Sequence, residues 1–196
     1  SVVSHDLRNP LNVAAGRLEL AQAECDSANL DTATEAVDRS LSLVDDVLAL
    51  ARGGDSVGDL EPVSLSAVTE RCWQTVPTEA ATLRIETDRT ILADESRLQQ
   101  LLSNLVGNAV EHGGSDVTVT IGATAEGFYV ADDGVGIADD TEDEIFDAGF
   151  STTDDGTGFG LRIVKQVVDA HDWEIRVSES DSGGARFDIT GVTGVE

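Results

Sequence analysis

The chain has 196 residues, 40% of them hydrophobic, and carries 38 acidic against 12 basic side chains for a formal net charge of −26. The apolar share excludes a disordered chain, and the length suits one large domain or two small ones. So acidic a chain excludes direct nucleic-acid binding, which needs cationic side chains on phosphate.

Residues 1–52 read as two helices. Leu7, Leu11, Ala14 or Ala15, Leu18 and Ala21 or Gln22 recur at a helical period. After a polar break at Asp26-Ser27-Ala28-Asn29, Val37, Leu41, Val44, Val47 or Leu48 and Ala51 do so again. Arg52-Gly53-Gly54 is a stop signal, a basic last turn followed by glycine. A hairpin this short encloses no core of its own, so its apolar stripes are expected to meet a second copy in a four-helix bundle. A homodimer is therefore expected from size alone.

Residues 53–62 have the composition of a linker. Beyond it a helix is expected over Ser64–Val76 and a strand over Thr82–Thr87. Asp94 can cap a long helix running to His112, closed by Gly113-Gly114. Val117–Ile121 and Phe128–Ala131 alternate as strands, whereas 138–157 is acidic, Thr- and Gly-rich and unpatterned. A helix from about Gly160 to His171 and strands at Glu174–Val177 and Ala185–Ile189 complete the chain. Strand and helix runs segregate into an α/β sandwich, without a parallel βαβ series. Cys25 and Cys72 lie apart without metal-ligand spacing and are expected to be small buried hydrophobes of a cytosolic protein. No run approaches the length of a membrane-spanning helix, no signal peptide precedes the first helical pattern, and no membrane contact is expected within this stretch. Ser1 is not an initiator methionine and stands just ahead of a motif, so the chain reads as a piece of a longer protein.

Three glycine- and asparagine-bearing motifs carry chemistry. On the Asp94–His112 helix, Leu98, Leu101, Leu102, Leu105 and Ala109 form one apolar stripe, while Gln100, Asn104, Asn108 and Glu111/His112 fall on the other face. Asparagine is a poor interior helix residue, so two at i, i+4 point to amide carbonyls facing a hard cation and a triphosphate. Asp132, at a strand end, supplies a carboxylate able to accept from an adenine amine, and Gly134 and Gly136 let the chain turn beneath a base. Gly156-Thr157-Gly158-Phe159-Gly160 enters a helix, where backbone N–H groups can meet phosphate. It is neither a P-loop nor a dinucleotide fingerprint. Phe146 and Phe150 flank the loop, as core anchors or as a latch. In the first helix, His5 has Asp6 beside it and Asn9 one turn on, and Pro10 cannot donate to the carbonyl of Asp6, so a bend is expected beside His5. An imidazole oriented by a carboxylate suits a phosphoryl acceptor.

In this order the motifs resemble those of the sensor histidine kinases of two-component signalling, over nearly all of residues 1–192. S-H-D-L-R-N-P-L is similar to the family's H box, N-L-V-G-N-A-V-E-H to its N box and D-D-G-V-G-I to its first glycine box. I-F-D-A-G-F is similar to its F box, G-T-G-F-G-L to its second glycine box, and Gly183-Gly184 before Ala185-Arg186-Phe187 to a worn last one. The resemblance implies an α+β chain: a dimerisation and phosphotransfer hairpin (1–52), a linker (53–62) and a Bergerat-type two-layer α/β ATPase domain (63–196). It implies that His5 takes the γ-phosphoryl of ATP, with Asp6 as base or orienter. Asn108 would be the Mg²⁺ ligand, supported by Asn104 and with His112 nearby. Asp132, Gly134, Gly136 and Ile137 would hold the adenine, and Gly156, Thr157, Gly158, Gly160 and Leu161 would border the phosphates under a lid at 138–157.

The partner implied is the receiver domain of a response regulator, whose aspartate receives the phosphoryl group. Asp6 and Asn9 also match the pattern linked to the reverse activity, dephosphorylation of that partner. A non-phosphorylating ATP-binding dimeric scaffold, or a regulator phosphatase, is the alternative. Two departures stand out: Glu111 where the N box usually carries a basic residue, and Asp133 where asparagine is usual. Finally, the acid is spread along a chain whose only lysine is Lys165. In molar salt the Debye length falls to about 3 Å and self-repulsion largely vanishes, so the composition resembles that of cytoplasmic proteins of salt-accumulating halophiles, a basic protein partner being the other reading.

Overall fold

The computed structural model describes residues 2–25, 27–52, 57–76, 80–114, 116–137, 145–146 and 158–195. Two long helices, α1 (Val2–Glu24) and α2 (Ala28–Arg52), pack against each other as a hairpin. The break between them is shorter than expected, because Ala28 and Asn29 already belong to α2: the backbone N–H groups of Leu30 and Asp31 donate to the Ser27 carbonyl at 2.8 and 3.2 Å. The apolar positions Leu11, Ala14, Ala15 and Leu18 are only half-buried within one chain, and Leu48 is the one described hairpin side chain that is buried. Val13, Leu20 and Val47 are 64%, 61% and 51% exposed.

The chain then builds β1 (Glu61–Ser64), α3 (Leu65–Trp73), β2 (Thr82–Glu86), β3 (Thr90–Ala93), α4 (Glu95–Gly113), β4 (Thr118–Ala123), β5 (Gly127–Asp132), α5 (Gly160–Ala170), β6 (Glu174–Glu179), β7 (Ala185–Thr190) and β8 (Gly194–Val195). The expected linker is thus shorter than 53–62, since Glu61 and Pro62 already pair with Ala93 and Leu92. The helix expected from Ser64 starts at Leu65, with Ser64 as its cap accepting from the Ala67 N–H at 3.3 Å. A five-stranded sheet has the order β2-β4-β5-β7-β6, with β2 parallel to β4 and all other pairs antiparallel; β1-β3-β8 form a small antiparallel sheet.

The layers meet through one apolar cluster. Leu98, Leu101, Leu102, Leu105 and Val106 of α4 and Ile163, Val164, Val167 and Val168 of α5 pack with Val119, Ile121, Phe128, Val130, Phe187 and Ile189 of the sheet. At roughly 1.5–3 kcal/mol for each fully buried aliphatic or aromatic side chain, this cluster dominates the stability of the α/β unit. Cys72 belongs to it, whereas Cys25, expected to be buried, is exposed at the end of the hairpin's first helix.

Asp94 fixes where α4 begins. Its Oδ1 accepts from the Arg97 N–H at 3.2 Å and its Oδ2 from the Gly58 N–H at 3.0 Å, while Arg71 of α3 pairs with Glu95 in the first turn. The Asp94 backbone N–H donates to His171 Nε2 at 3.1 Å, and His171 Nδ1 bonds the Val167 carbonyl at 2.8 Å. That pair of bonds requires the neutral ring protonated on Nδ1. His171 also stacks on Trp173, with ring centroids 4.2 Å apart. The start of α4 is thereby tied to the end of α5, and this helix pair sets the groove described next.

Candidate functional site

Asn104 and Asn108 lie on the face of α4 opposite its buried stripe, and both turn toward the first residue of α5. A Cβ built on Gly160 would stand 3.1 Å from Asn104 Oδ1 and 3.4 Å from Asn108 Oδ1. A side chain at position 160 would press on the Asn104 carbonyl and touch that of Asn108. The Asn104 amide is held by donating Nδ2–H to the Gln100 carbonyl at 2.8 Å, which leaves its Oδ1 facing Gly160. Phe159, at the N-cap of α5, supplies no side-chain cap, and a helix start is where backbone N–H groups can meet an anion. Gly158 just before it has φ +67°. Gly156 and Thr157 lie outside the described residues, as does most of 138–157; within that stretch Ile145 is buried and Phe146 packs on the core.

The second pole of the site sits near the other end of α4. Asp132 closes β5 half-buried, and its Oδ1 accepts from the N–H groups of Gly134 at 2.9 Å and Ala185 at 3.1 Å. Burial raises its carboxyl above the usual aspartate range against those two bonds, and the charge of Asp133 adds to the rise. Among the described residues no N–H or O–H donates to Asp132 Oδ2. Asp133 itself is exposed and accepts from the Thr118 N–H at 2.6 Å, which holds its carboxyl below the usual range. Asp133 is thus exposed, yet its charge reaches Asp132.

Gly134 is required by close approach, since a Cβ there would sit 2.4 Å from the Cα of Gly113 at the end of α4. Gly136 has φ +71° and backs onto the Gly183 carbonyl. Ile137 and Leu161 pack on the core beside the two poles, and His112 is half-buried in the last turn of α4. Glu111 is exposed. From Asn104 to Gly113 the helix rises about 14 Å at ~1.5 Å per residue, so a carboxylate pole and an amide-and-helix-start pole are strung along one helix. That arrangement receives a ligand with a polar heterocycle at one end and an anionic tail at the other.

The turn between β6 and β7, which the sequence marks only by the worn glycine box at Gly183-Gly184, closes on Asp132. Gly184 lies so close that a Cβ would be 2.3 Å from Asp132 Oδ1, and Ser180 Oγ donates to the Asp132 carbonyl at 2.6 Å.

His5 and Asp6 belong to α1, but their side chains lie outside the described residues; Asn9 is exposed on the next turn and Pro10 is inside the helix. The coordinates thus bring Asn104, Asn108 and Gly160 together, and separately Asp132, Gly134, Gly136 and Gly184.

Both poles lie within residues 93–191, which match the family "Histidine kinase-, DNA gyrase B-, and HSP90-like ATPase". Residues 1–56 match the "His Kinase A (phospho-acceptor) domain". The sensor histidine kinase ZraS of Salmonella typhi is 32% identical over 95% of this chain and 43% of its own length. The methanogenesis regulatory histidine kinase FilI of Methanothrix harundinacea is 28% identical over 93% of this chain and 23% of its own. Among solved structures, full-length ShkA in complex with AMPPNP superposes with a TM-score of 0.74 at 31% identity, covering 99% of this chain and 45% of that one. The Acinetobacter baumannii histidine kinase AdeS shares the fold, with a TM-score of 0.65 at 21% identity over 96% of each chain. The chain belongs to the sensor histidine kinases, and it spans less than half the length of the ZraS relatives it matches.

Proposed function

We propose that this chain is an ATP-dependent protein histidine kinase core, in which the γ-phosphoryl group passes from the α4–α5 groove to His5 and then to an aspartate of a response-regulator receiver domain. The observation that carries the reading is the pair of amide carbonyls, Asn104 and Asn108, aimed at the uncapped start of α5 with only Gly160 between. The structure of ShkA, 31% identical and in complex with AMPPNP, supports ATP as the ligand.

In this reading 1–52 is the dimerisation and phosphotransfer hairpin and the catalytic domain begins with β1 at Glu61, the stretch between them being the linker. Asp132 accepts from the adenine amine, Gly134, Gly136 and Ile137 shape that pocket, and Gly156, Thr157, Gly158, Gly160 and Leu161 line the phosphate end, with His112 in support. The space that a Cβ on Gly160 would fill, faced by two amide oxygens, fits a hard cation. Asn108 would be the Mg²⁺ ligand, and the ion supplies charge neutralisation at the phosphates. The unprotonated His5 ring nitrogen takes the phosphorus as its bond to the ADP oxygen breaks, and Asp6 holds the proton on the other nitrogen. Asn9 is placed for the reverse, phosphatase direction. The exposed Val13, Leu20 and Val47 support a second copy closing a four-helix bundle. Among the described residues no helix is long and apolar enough to cross a membrane, and we place this core on the cytoplasmic side. The net charge of −26 fits a halophile's cytoplasm.

The test is incubation with γ-labelled ATP at high salt, with and without Mg²⁺. A Mg²⁺-dependent label that is acid-labile and base-stable is expected; nucleotide binding with no label would make the chain a scaffold instead.

A further inference from the structure

The tightest polar knot outside the residues already assigned is the turn between β6 and β7. Ser180 is 8% exposed and one of only two buried polar residues in the described core. Its Oγ donates to the Asp132 carbonyl at 2.6 Å and accepts from the N–H groups of Gly184 at 3.0 Å and Ser182 at 3.3 Å. The same turn is closed by backbone bonds, Ser180 N–H to the Gly184 carbonyl at 2.7 Å and Gly183 N–H to the Ser180 carbonyl at 2.9 Å. One hydroxyl therefore fastens the end of β5 to a loop some fifty residues downstream, and that loop supplies one of the two donors on Asp132 Oδ1, the Ala185 N–H.

Gly184 sharpens the point. With no room for even a methyl group against Asp132 Oδ1, the Asp132 carbonyl or the Gly134 nitrogen, the turn is pressed onto the carboxylate like a collar. Any slackening lets Gly184 drift, takes Ala185 N–H off Oδ1, and frees the carboxylate to rotate. A fixed carboxylate discriminates a base that offers an amine from one that offers a carbonyl; a rotating one does so less well.

We propose that Ser180 is a positioning residue for base recognition, setting the orientation of the Asp132 carboxylate through the 180–185 turn. The role rests on the reading of Asp132 as the adenine acceptor, and it assigns adenine-over-guanine selectivity to a hydroxyl that does not touch the nucleotide. Removing that hydroxyl takes a bond from the Asp132 carbonyl, from the buried Gly184 N–H and from the Ser182 N–H, while the amide pair near Gly160 is untouched.

The experiment compares dissociation constants for ATP and GTP in the wild type, Ser180→Ala and Ser180→Thr, by calorimetry at high salt. Wild type binding ATP no better than GTP would defeat the adenine reading itself, independently of Ser180. Given that preference, Ser180→Ala is expected to weaken ATP roughly tenfold and to lower the GTP-to-ATP ratio of dissociation constants by the same factor. GTP binding should stay within about twofold of wild type, as should both affinities in Ser180→Thr, which keeps the hydroxyl. Proportional weakening of both nucleotides, or an unchanged ratio, would overturn the proposal by making Ser180 a general stabiliser or a bystander. If Ser180→Ala does not fold, the threonine variant decides: retained selectivity upholds the role, and lost selectivity with the hydroxyl present overturns it.

Discussion

The helical hairpin and the α/β unit differ in how completely each buries what its sequence offers. Along α4 every member of the apolar stripe is buried, and the cap, the Arg71–Glu95 pair and the His171 bond all hold the same end of the helix. Along α1 the corresponding stripe is half-buried at best, and Val13 and Leu20 face outward seven residues apart. The α/β unit has a closed core, whereas the described hairpin leaves apolar side chains exposed, as a helix pair that closes its core against a second copy would.

The contrast can be broken at its strongest point first. Asp132→Asn keeps an oxygen for the Gly134 and Ala185 N–H groups but presents an amide donor to the adenine amine, so ATP affinity should fall by roughly 100-fold, measured by calorimetry. The sign for stability is opposite. Because burial raises the Asp132 carboxyl, the contribution of its proton is fully present below the unfolded pKa and lost as pH rises through the folded one. At neutral pH the ionised side chain is a cost, and the nucleotide-free variant should melt higher than wild type. A lower melting temperature would show that the carboxylate is stabilising in the empty site.

Next in size is the core itself. Leu102→Ala in α4 should cost about 2–5 kcal/mol in the α/β unfolding transition, at any protein concentration. Val13→Glu with Leu20→Glu should leave that transition in place and shift the sedimentation of the chain from dimer to monomer. An unchanged dimer would mean that those two side chains do not form the interface.

The smallest expected effect is a pH dependence of the α4–α5 tie. Burial pushes the His171 imidazole below the usual histidine range, opposed by its bond to the Val167 carbonyl and by Asp94, and reinforced by Arg97. The fold holds the neutral ring, so this contribution is complete above the unfolded pKa of about 6.5 and is lost as pH falls toward the folded value. Denaturant midpoints should therefore decline more in wild type than in His171→Gln as pH falls below about 6.5. Parallel declines would remove His171 from the account.

These regions also differ in how far the sequence foretells them. Helices α2, α4 and α5 are readable because caps, stripes and glycine stops are local signals spaced along one element. Strands β1, β3 and β8 are not, because four-residue and two-residue segments such as Thr90–Ala93 become strands only by pairing with chain far away, here Glu61–Ser64 and Gly194–Val195. The same reason divides the site. Asn104 and Asn108 stand out as misfits on a helix face, and Asp132 stands beside its glycines. Ser180 gives no local sign of its role, because its partner Asp132 is forty-eight residues away. Cys25 departs from expectation for a related reason: composition favours a buried cysteine, but this one stands just past the end of α1 and is exposed.

The central claim is that the nucleotide groove and His5 are donor and acceptor of one phosphoryl group. The direct measurement is incorporation of γ-label into wild type and His5→Gln in Mg²⁺ and high salt, with ATP affinity determined for both. The account predicts equal affinity in the two proteins, with an acid-labile label in wild type and none in His5→Gln. Undiminished label in His5→Gln, or its absence from a wild type that binds ATP, would contradict it.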